Sequence, residues 1–189
     1  MGPDGPRSVP HAAVLVGCET MHDWPHFDPV RLARQLSESL AMLDWAVRGT
    51  PARWLGVPLT DGGWSVARNL AHLAAYEERL AVPVLEELAA GGDGMATLRG
   101  LSRQPRWDDG ETATADDVDA LLARLAAART RQAGLCATFD TGAFNAPTCR
   151  FWGIREGTAH PPGWVVTKTI QHTWEHGNTP LQALLFAPR

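Results

Sequence analysis

The fold is decided by residues 64–88, which read WSVARNLAHLAAYEERLAVPVLEEL. Ser65 is a good helix N-cap, and apolar residues follow it on one stripe at helical spacing. These are Val66, Leu70, Leu73, Leu80, Val84 and Leu88. Pro83 interrupts the pattern and should kink or loosen the helix, because proline lacks an N–H and crowds the preceding turn. The stretch predicts an amphipathic helix that buries one face in a helical core.

Three further helices are predicted on either side of this stretch. Asp28 followed by Pro29 marks the start of the first, which ends near Gly49. Thr114 and Asp117 resemble a capping box and open a helix that reaches about residue 139. The last helix runs from about residue 163 to residue 186. Since no strand pattern is found, the sequence predicts an all-α four-helix bundle over residues 28–189 after an irregular arm, residues 1–27.

Two long segments between these helices lack periodicity. Residues 91–113 are long enough for a crossover, so the second and third helices need not be antiparallel neighbours. Residues 140–162 form a second irregular segment, of a kind that often serves as a lid or binding loop.

Composition limits the classes of partner. The chain has 189 residues and a net charge of −4, with basic residues scattered among acidic ones, so neither nucleic acid nor a membrane surface is indicated. A small-molecule substrate is the expected partner. The only lysine is Lys168, a skew toward arginine that is typical of a high-GC, bacterial genome. Three cysteines far apart and no long apolar run predict a cytoplasmic protein.

Histidines in two predicted helices suggest a metal site. His172 and His176 are four residues apart, so the second side chain is rotated by only about 40° from the first and lies one turn further along. Both imidazoles can then reach one ion, although this spacing is common. His72 lies at the edge of the apolar stripe in the second helix, where a boundary histidine with no ligand role is also expected.

Two segments that contain these histidines resemble a known family. Residues 62–73, GGWSVARNLAHL, are similar to the W-S-x-x-x-x-L-x-H-L signature of the DinB/YfiT-like superfamily. Residues 171–182, QHTWEHGNTPLQ, are similar to its final-helix H-x-x-x-H motif. The two matches occur in the family's order, and the resemblance covers about residues 28–186.

The resemblance implies a fold, a ligand set and a chemistry. It implies a bundle with up-down-down-up topology and a divalent metal ion held by His72, His172 and His176. Zinc, nickel and ferrous iron all suit three imidazoles, which leave at least one coordination position open. Such an ion can activate a thiol, a carbonyl or water. Members of the superfamily include mycothiol-dependent maleylpyruvate isomerases and bacillithiol transferases, which implies a low-molecular-weight thiol such as mycothiol as cofactor.

Five other side chains are candidates for the chemistry. Glu175 can reach the mouth of the site as a general base, and Tyr76 can donate its hydroxyl to a metal-bound ligand; a solvated glutamate and a packed tyrosine are the alternatives. Arg150 and Arg155 can receive carboxylates of a thiol cofactor or a substrate, or be solvated. Glu77, within the apolar stripe, either supports a histidine from behind or lies at the bundle rim.

The sequence thus predicts a metal-dependent enzyme, a transferase or isomerase that uses a thiol against an electrophilic small molecule. Two alternatives stay open on the same site: a metal-dependent hydrolase, and a metal-binding stress or sensor protein without turnover. A metal-free interaction module is a third. A homodimer is expected because bundles of this kind often pair.

Overall fold

The fold comes from a computed structural model, which describes residues 25–101, 103, 112–150 and 159–186. The long helices are α1, Pro29–Gly49; α2, Val66–Tyr76, which continues through a π-helical turn, Glu77–Ala81, into α3, Val82–Ala89; α5, Val118–Cys136; and α7, Pro162–Phe186. Shorter helices are α4, Met95–Leu101, and α6, Thr141–Asn145, with 3₁₀ turns at Ala52–Trp54 and Ala115–Asp117. The described residues contain no strand, only one isolated bridge between Cys149 and His160.

The predicted helix starts are confirmed by their caps. The Asp28 carboxylate accepts hydrogen bonds from the N–H groups of Val30 and Arg31, at 2.9 and 3.2 Å. Ser65 accepts from Arg68 N–H at 3.1 Å. The capping box of Thr114 and Asp117 is formed. These side chains satisfy N–H groups that lack a partner in the first turn of a helix, so the caps fix where each helix begins.

The loosening predicted at Pro83 takes the form of the π-helical turn. At its end the Val82 N–H donates to the carbonyl of Glu77, five residues back instead of four. The wider turn lies directly before the proline, which has no N–H to donate. The helix therefore continues past Pro83, and its widened turn follows Tyr76 and begins at Glu77.

Two segments predicted to be irregular contain short helices. The Glu87 carboxylate accepts hydrogen bonds from the backbone of Ala96 and Thr97, which places the N-terminus of α4 against α3. Asp140 caps α6, whose Phe144 is fully buried. Both helices are too short for an apolar period to show. Of the predicted arm, residues 1–24 lie outside the described residues, whereas Phe27 is buried in the core.

The core contains an ion pair that joins several helices. Arg129 on α5 is 2% exposed and Glu77 is fully buried. The Arg129 Nε lies 2.6 and 2.8 Å from the two Glu77 carboxylate oxygens. The guanidinium also donates to the Leu36 carbonyl, the Ser39 hydroxyl and the Thr173 hydroxyl.

This ion pair corrects the prediction for Glu77. The side chain is neither at the bundle rim nor behind a histidine; it is the counter-charge of a buried arginine. The Gln132 amide also donates to the same carboxylate, at 2.8 Å. Burial raises the pKa of Glu77, while the Arg129 charge and the hydrogen bonds oppose that rise.

None of the described helices is both long and apolar enough to cross a membrane.

Candidate metal centre

Three histidines from two helices converge. His72 is contributed by α2, while His172 and His176 lie one turn apart on α7. One ring nitrogen of each lies within 4.8 Å of the others, and the Nε2 atoms of His72 and His172 are 3.0 Å apart. Two nitrogens bound to one zinc ion at about 2.0–2.1 Å in tetrahedral geometry are roughly 3.3 Å apart, close to the separation of His72 and His172. The predicted trio is therefore brought together in a geometry that suits one ion.

Asn69 fixes the orientation of one of these rings. It is buried one turn before His72, and its Nδ2 donates to the Ser65 carbonyl at 2.8 Å. The amide oxygen then faces His176, whose Nδ1 lies 2.8 Å away and donates to it. The protonated Nδ1 leaves the lone pair on Nε2, the nitrogen available to a metal.

Sequence reasoning missed this role of Asn69. The signal was its position three residues before a predicted ligand on the same helix, because residues three apart are neighbours on a helix surface. Nothing in the pattern showed which partner across the bundle the amide meets.

Aromatic side chains flank the histidines. Trp64 stacks on His176 with ring centroids 5.6 Å apart, and meets the His72 ring edge-on at 5.1 Å. Arg68 places its guanidinium 4.3 Å from the centre of the Trp64 ring. Tyr76 meets His172 edge-on, with centroids 4.2 Å apart. These contacts limit rotation of all three imidazoles.

The electrostatic environment favours neutral imidazole. Burial lowers the pKa of His172 to about 3, helped by repulsion from His176 and His72. A neutral ring keeps the lone pair that a ligand needs. Burial also raises the pKa of Tyr76 above its ordinary value, so the phenol stays protonated, and its hydroxyl is hydrogen-bonded to Thr169.

A cavity of about 330 Å³ opens beside two of the histidines. The described side chains around it include His72, Tyr76, Leu80, Lys168, His172 and Glu175. Glu175 is exposed, and its carboxylate accepts a hydrogen bond from Gln171 at 2.8 Å. Both predicted catalytic side chains, Glu175 and Tyr76, therefore line this space, and their roles stay predictions.

Of the two candidate arginines, the structure describes one, and it lies away from this cavity. Arg150 is exposed and does not line the cavity; its backbone N–H donates to the Asp93 carbonyl at 3.0 Å. Arg155 falls outside the described residues.

The donor set fits a divalent metal ion. Ring nitrogens of three imidazoles lie within 4.8 Å of one another, one ring is held in the tautomer that frees its Nε2, and a cavity adjoins two of the rings. A fourth position open to a ligand is the arrangement of a reactive metal site.

The role of Asn69 can be tested by substitution. We expect Asn69→Ala to weaken zinc affinity about 10- to 100-fold, because His176 loses the acceptor that holds its ring and tautomer. Asn69→Asp keeps an acceptor oxygen and should restore most of the affinity. The measurement is competition against a chromophoric chelator, with circular dichroism to show that both variants remain helical. Equal affinity in the alanine variant and the parent would contradict the role.

Comparison with known proteins identifies the family. A family model described as the DinB superfamily matches residues 35–179, which include all three histidines. No curated protein matches the chain, and no solved structure does. The matched range covers most of the chain and most of its helical core, and the resemblance of the two histidine segments is confirmed. The chain belongs to the DinB superfamily.

Proposed function

We propose that this protein is a metal-dependent enzyme that transfers a low-molecular-weight thiol to an electrophilic small molecule or isomerises such a molecule. The ligands are His72, His172 and His176. The observation that carries the proposal is the convergence of these rings beside a cavity large enough for a small substrate. A structural metal site is usually closed by a fourth protein ligand, whereas two of these three histidines line a cavity.

A zinc, nickel or ferrous ion held by these histidines would supply a Lewis acid that lowers the pKa of a thiol. The other roles in the reaction belong to protein side chains. Asn69 and Trp64 hold the His176 ring, and Tyr76 holds the His172 ring. Glu175, which lines the cavity, accepts the proton that the thiol loses. Arg150 and Arg155 are proposed to bind carboxylates of the thiol or the substrate outside the described cavity, which Arg150 does not line.

The bundle is proposed to run up-down-down-up. Gly177 lies against Leu43 and Gly49 against Leu184, which supports a parallel arrangement of α1 and α7. Ion pairs join Glu78 to Arg124 and Glu86 to Arg131, which supports α5 running parallel to the helix formed by α2 and α3. This order places the two histidine-bearing helices side by side. Residues 28–189 form the bundle domain in this proposal.

Cobalt-substituted protein tests the thiol chemistry. We expect titration with cysteine, glutathione or mycothiol to produce a near-ultraviolet sulfur-to-cobalt absorption band, because the thiol enters the open position as thiolate. The His72→Ala, His172→Ala, His176→Ala variant should give no band. Full cobalt occupancy without a band or turnover with any of these thiols would contradict the proposal.

That negative result would favour one of two other functions. Glu175 beside the cavity is positioned to activate water, so a metal-dependent hydrolase on the same site would remain. A cobalt spectrum that shows a fourth protein ligand would instead support a metal-binding sensor protein without turnover.

A further inference from the structure

The cavity beside the histidines contains the only lysine of the chain. Lys168 lies on α7 one turn before His172 and lines the same space. Its Nζ donates to the side-chain oxygen of Gln171 at 2.8 Å and lies 5.5 Å from the centre of the Trp164 ring. Among the described residues no carboxylate lies within ion-pair distance of it. The ammonium charge is therefore not compensated there by a described acid.

Gln171 keeps the two charges of the cavity apart. It accepts from Lys168 and donates to Glu175, also at 2.8 Å, so the lysine and the glutamate occupy opposite ends of a hydrogen-bonded row. They are seven residues apart, which is about two helical turns or 10 Å. The Lys168 ammonium, at the positive end of this row, is therefore available to a ligand.

The opposite wall of the cavity is largely apolar. Tyr76 and Leu80, both buried, contribute it. A divalent ion held by the three histidines would add to the Lys168 charge and outweigh the Glu175 carboxylate, in a chain whose net charge is −4. A concave site of one sign attracts ligands of the other sign and raises their association rate.

We propose that this cavity binds a small molecule that carries a carboxylate, with the Lys168 ammonium as its counter-charge. The body of the molecule lies against Tyr76 and Leu80, and its reactive end points toward the three histidines. This inference rests on the proposed function and adds the substrate class. At about 330 Å³ the cavity is near the lower end of small-molecule sites, which span about 300–1,000 Å³.

Two thiols of equal length test the proposal. Isothermal titration calorimetry on the metal-loaded full chain compares 3-mercaptopropionate with the neutral 3-mercaptopropan-1-ol. Both can bind through sulfur, so their difference reports the carboxylate. We expect the acid to bind about fivefold more tightly to the parent, the size of a partly solvated charge pair. Lys168→Met should abolish this preference, and Lys168→Arg should keep it.

A matched control removes the same charge elsewhere. Arg34 on α1 is exposed and pairs with Glu38. Arg34→Met removes one positive charge, as Lys168→Met does. The Arg34→Met variant should still bind 3-mercaptopropionate more tightly than 3-mercaptopropan-1-ol. Equal affinity of both thiols for the parent, or an unchanged preference in Lys168→Met, would overturn the proposal.

A second measurement separates this proposal from the thiol chemistry. Because Lys168 is the only lysine, N-hydroxysuccinimidyl acetate labels that side chain and the amino terminus, which mass spectrometry distinguishes. Butyrate should slow acetylation of Lys168 at least threefold more than butyramide does, with no change at the amino terminus. If neither thiol binds yet butyrate protects, the thiol function fails and the carboxylate site stands. If neither thiol binds and the two compounds protect equally, both fail.

Discussion

Alanine at His72, His172 and His176 together should remove the bound metal. Protein purified without an affinity tag or chelator is expected to carry close to one equivalent, measured by elemental analysis, and the triple variant less than about a tenth of that. The reason is geometric: the three rings supply every imidazole donor of the described cluster, whose nitrogens lie within 4.8 Å of one another. No single ring provides a chelating site alone.

An exposed histidine provides the control. His26 is exposed and lies outside the cluster, so His26→Ala should retain the parent's metal content. Single variants at the three ligand positions should each lose most of the metal after dialysis, because two imidazoles hold a divalent ion far less tightly than three. Equal metal in the parent and the triple variant, or none in either after reconstitution, would refute the metal centre.

The three histidines that converge were predictable because each carries a local signal. His172 and His176 stand four apart on a helix, and His72 follows a Trp-Ser helix start that resembles the family signature. Asn69 carries no such signal of its own. Its role depends on a hydrogen bond to a residue 107 positions away, which packing and not helical periodicity determines.

The same difference between local and long-range signals explains which parts of the fold were predictable. Helix starts at Asp28 and Ser65 were predictable because a cap acts within its own first turn. The start of α4 was not predictable, since the acceptor for its first backbone N–H groups is the Glu87 carboxylate in the preceding helix. The partner of Glu77 was missed for the same reason: Arg129 is 52 residues away, and its position in α5 is that of an ordinary helical arginine.

That buried pair carries the largest stability effect we expect. Arg129→Met should lower the free energy of unfolding by about 3–5 kcal/mol at pH 7, because the Glu77 carboxylate is left buried without its counter-charge. Urea denaturation followed by circular dichroism measures it. Arg131 provides the matched control on the same helix: its pair with Glu86 is largely exposed, so Arg131→Met should change stability little.

The pH dependence of Arg129→Met identifies the cause of its instability. Burial raises the pKa of Glu77, and removing Arg129 takes away the main opposing interaction, so the folded variant should keep this carboxyl protonated above the pKa of the unfolded chain. A carboxyl whose pKa is higher in the folded chain than in the unfolded chain stabilises the fold fully at pH values below its unfolded pKa, about 4.3. This contribution to stability is lost as the pH rises toward the pKa in the folded chain. The variant should therefore lose stability relative to the parent as the pH rises above about 4.3, by at most about 1.4 kcal/mol per pH unit for this one carboxyl.

A second substitution tests whether the lost partner or the lost packing is responsible. In the double variant Glu77→Gln, Arg129→Met no buried charge remains, and the Gln132 amide, 2.8 Å from the Glu77 carboxylate in the parent, can still donate to the new side chain. Replacing both members of a buried pair often costs little, whereas removing one leaves an unpaired charge. The double variant should thus recover most of the stability and lose the added pH dependence. If it is as unstable as Arg129→Met and equally pH-dependent, the charge of Glu77 is not the cause, and the guanidinium's hydrogen bonds to α1 and α7 hold the bundle together.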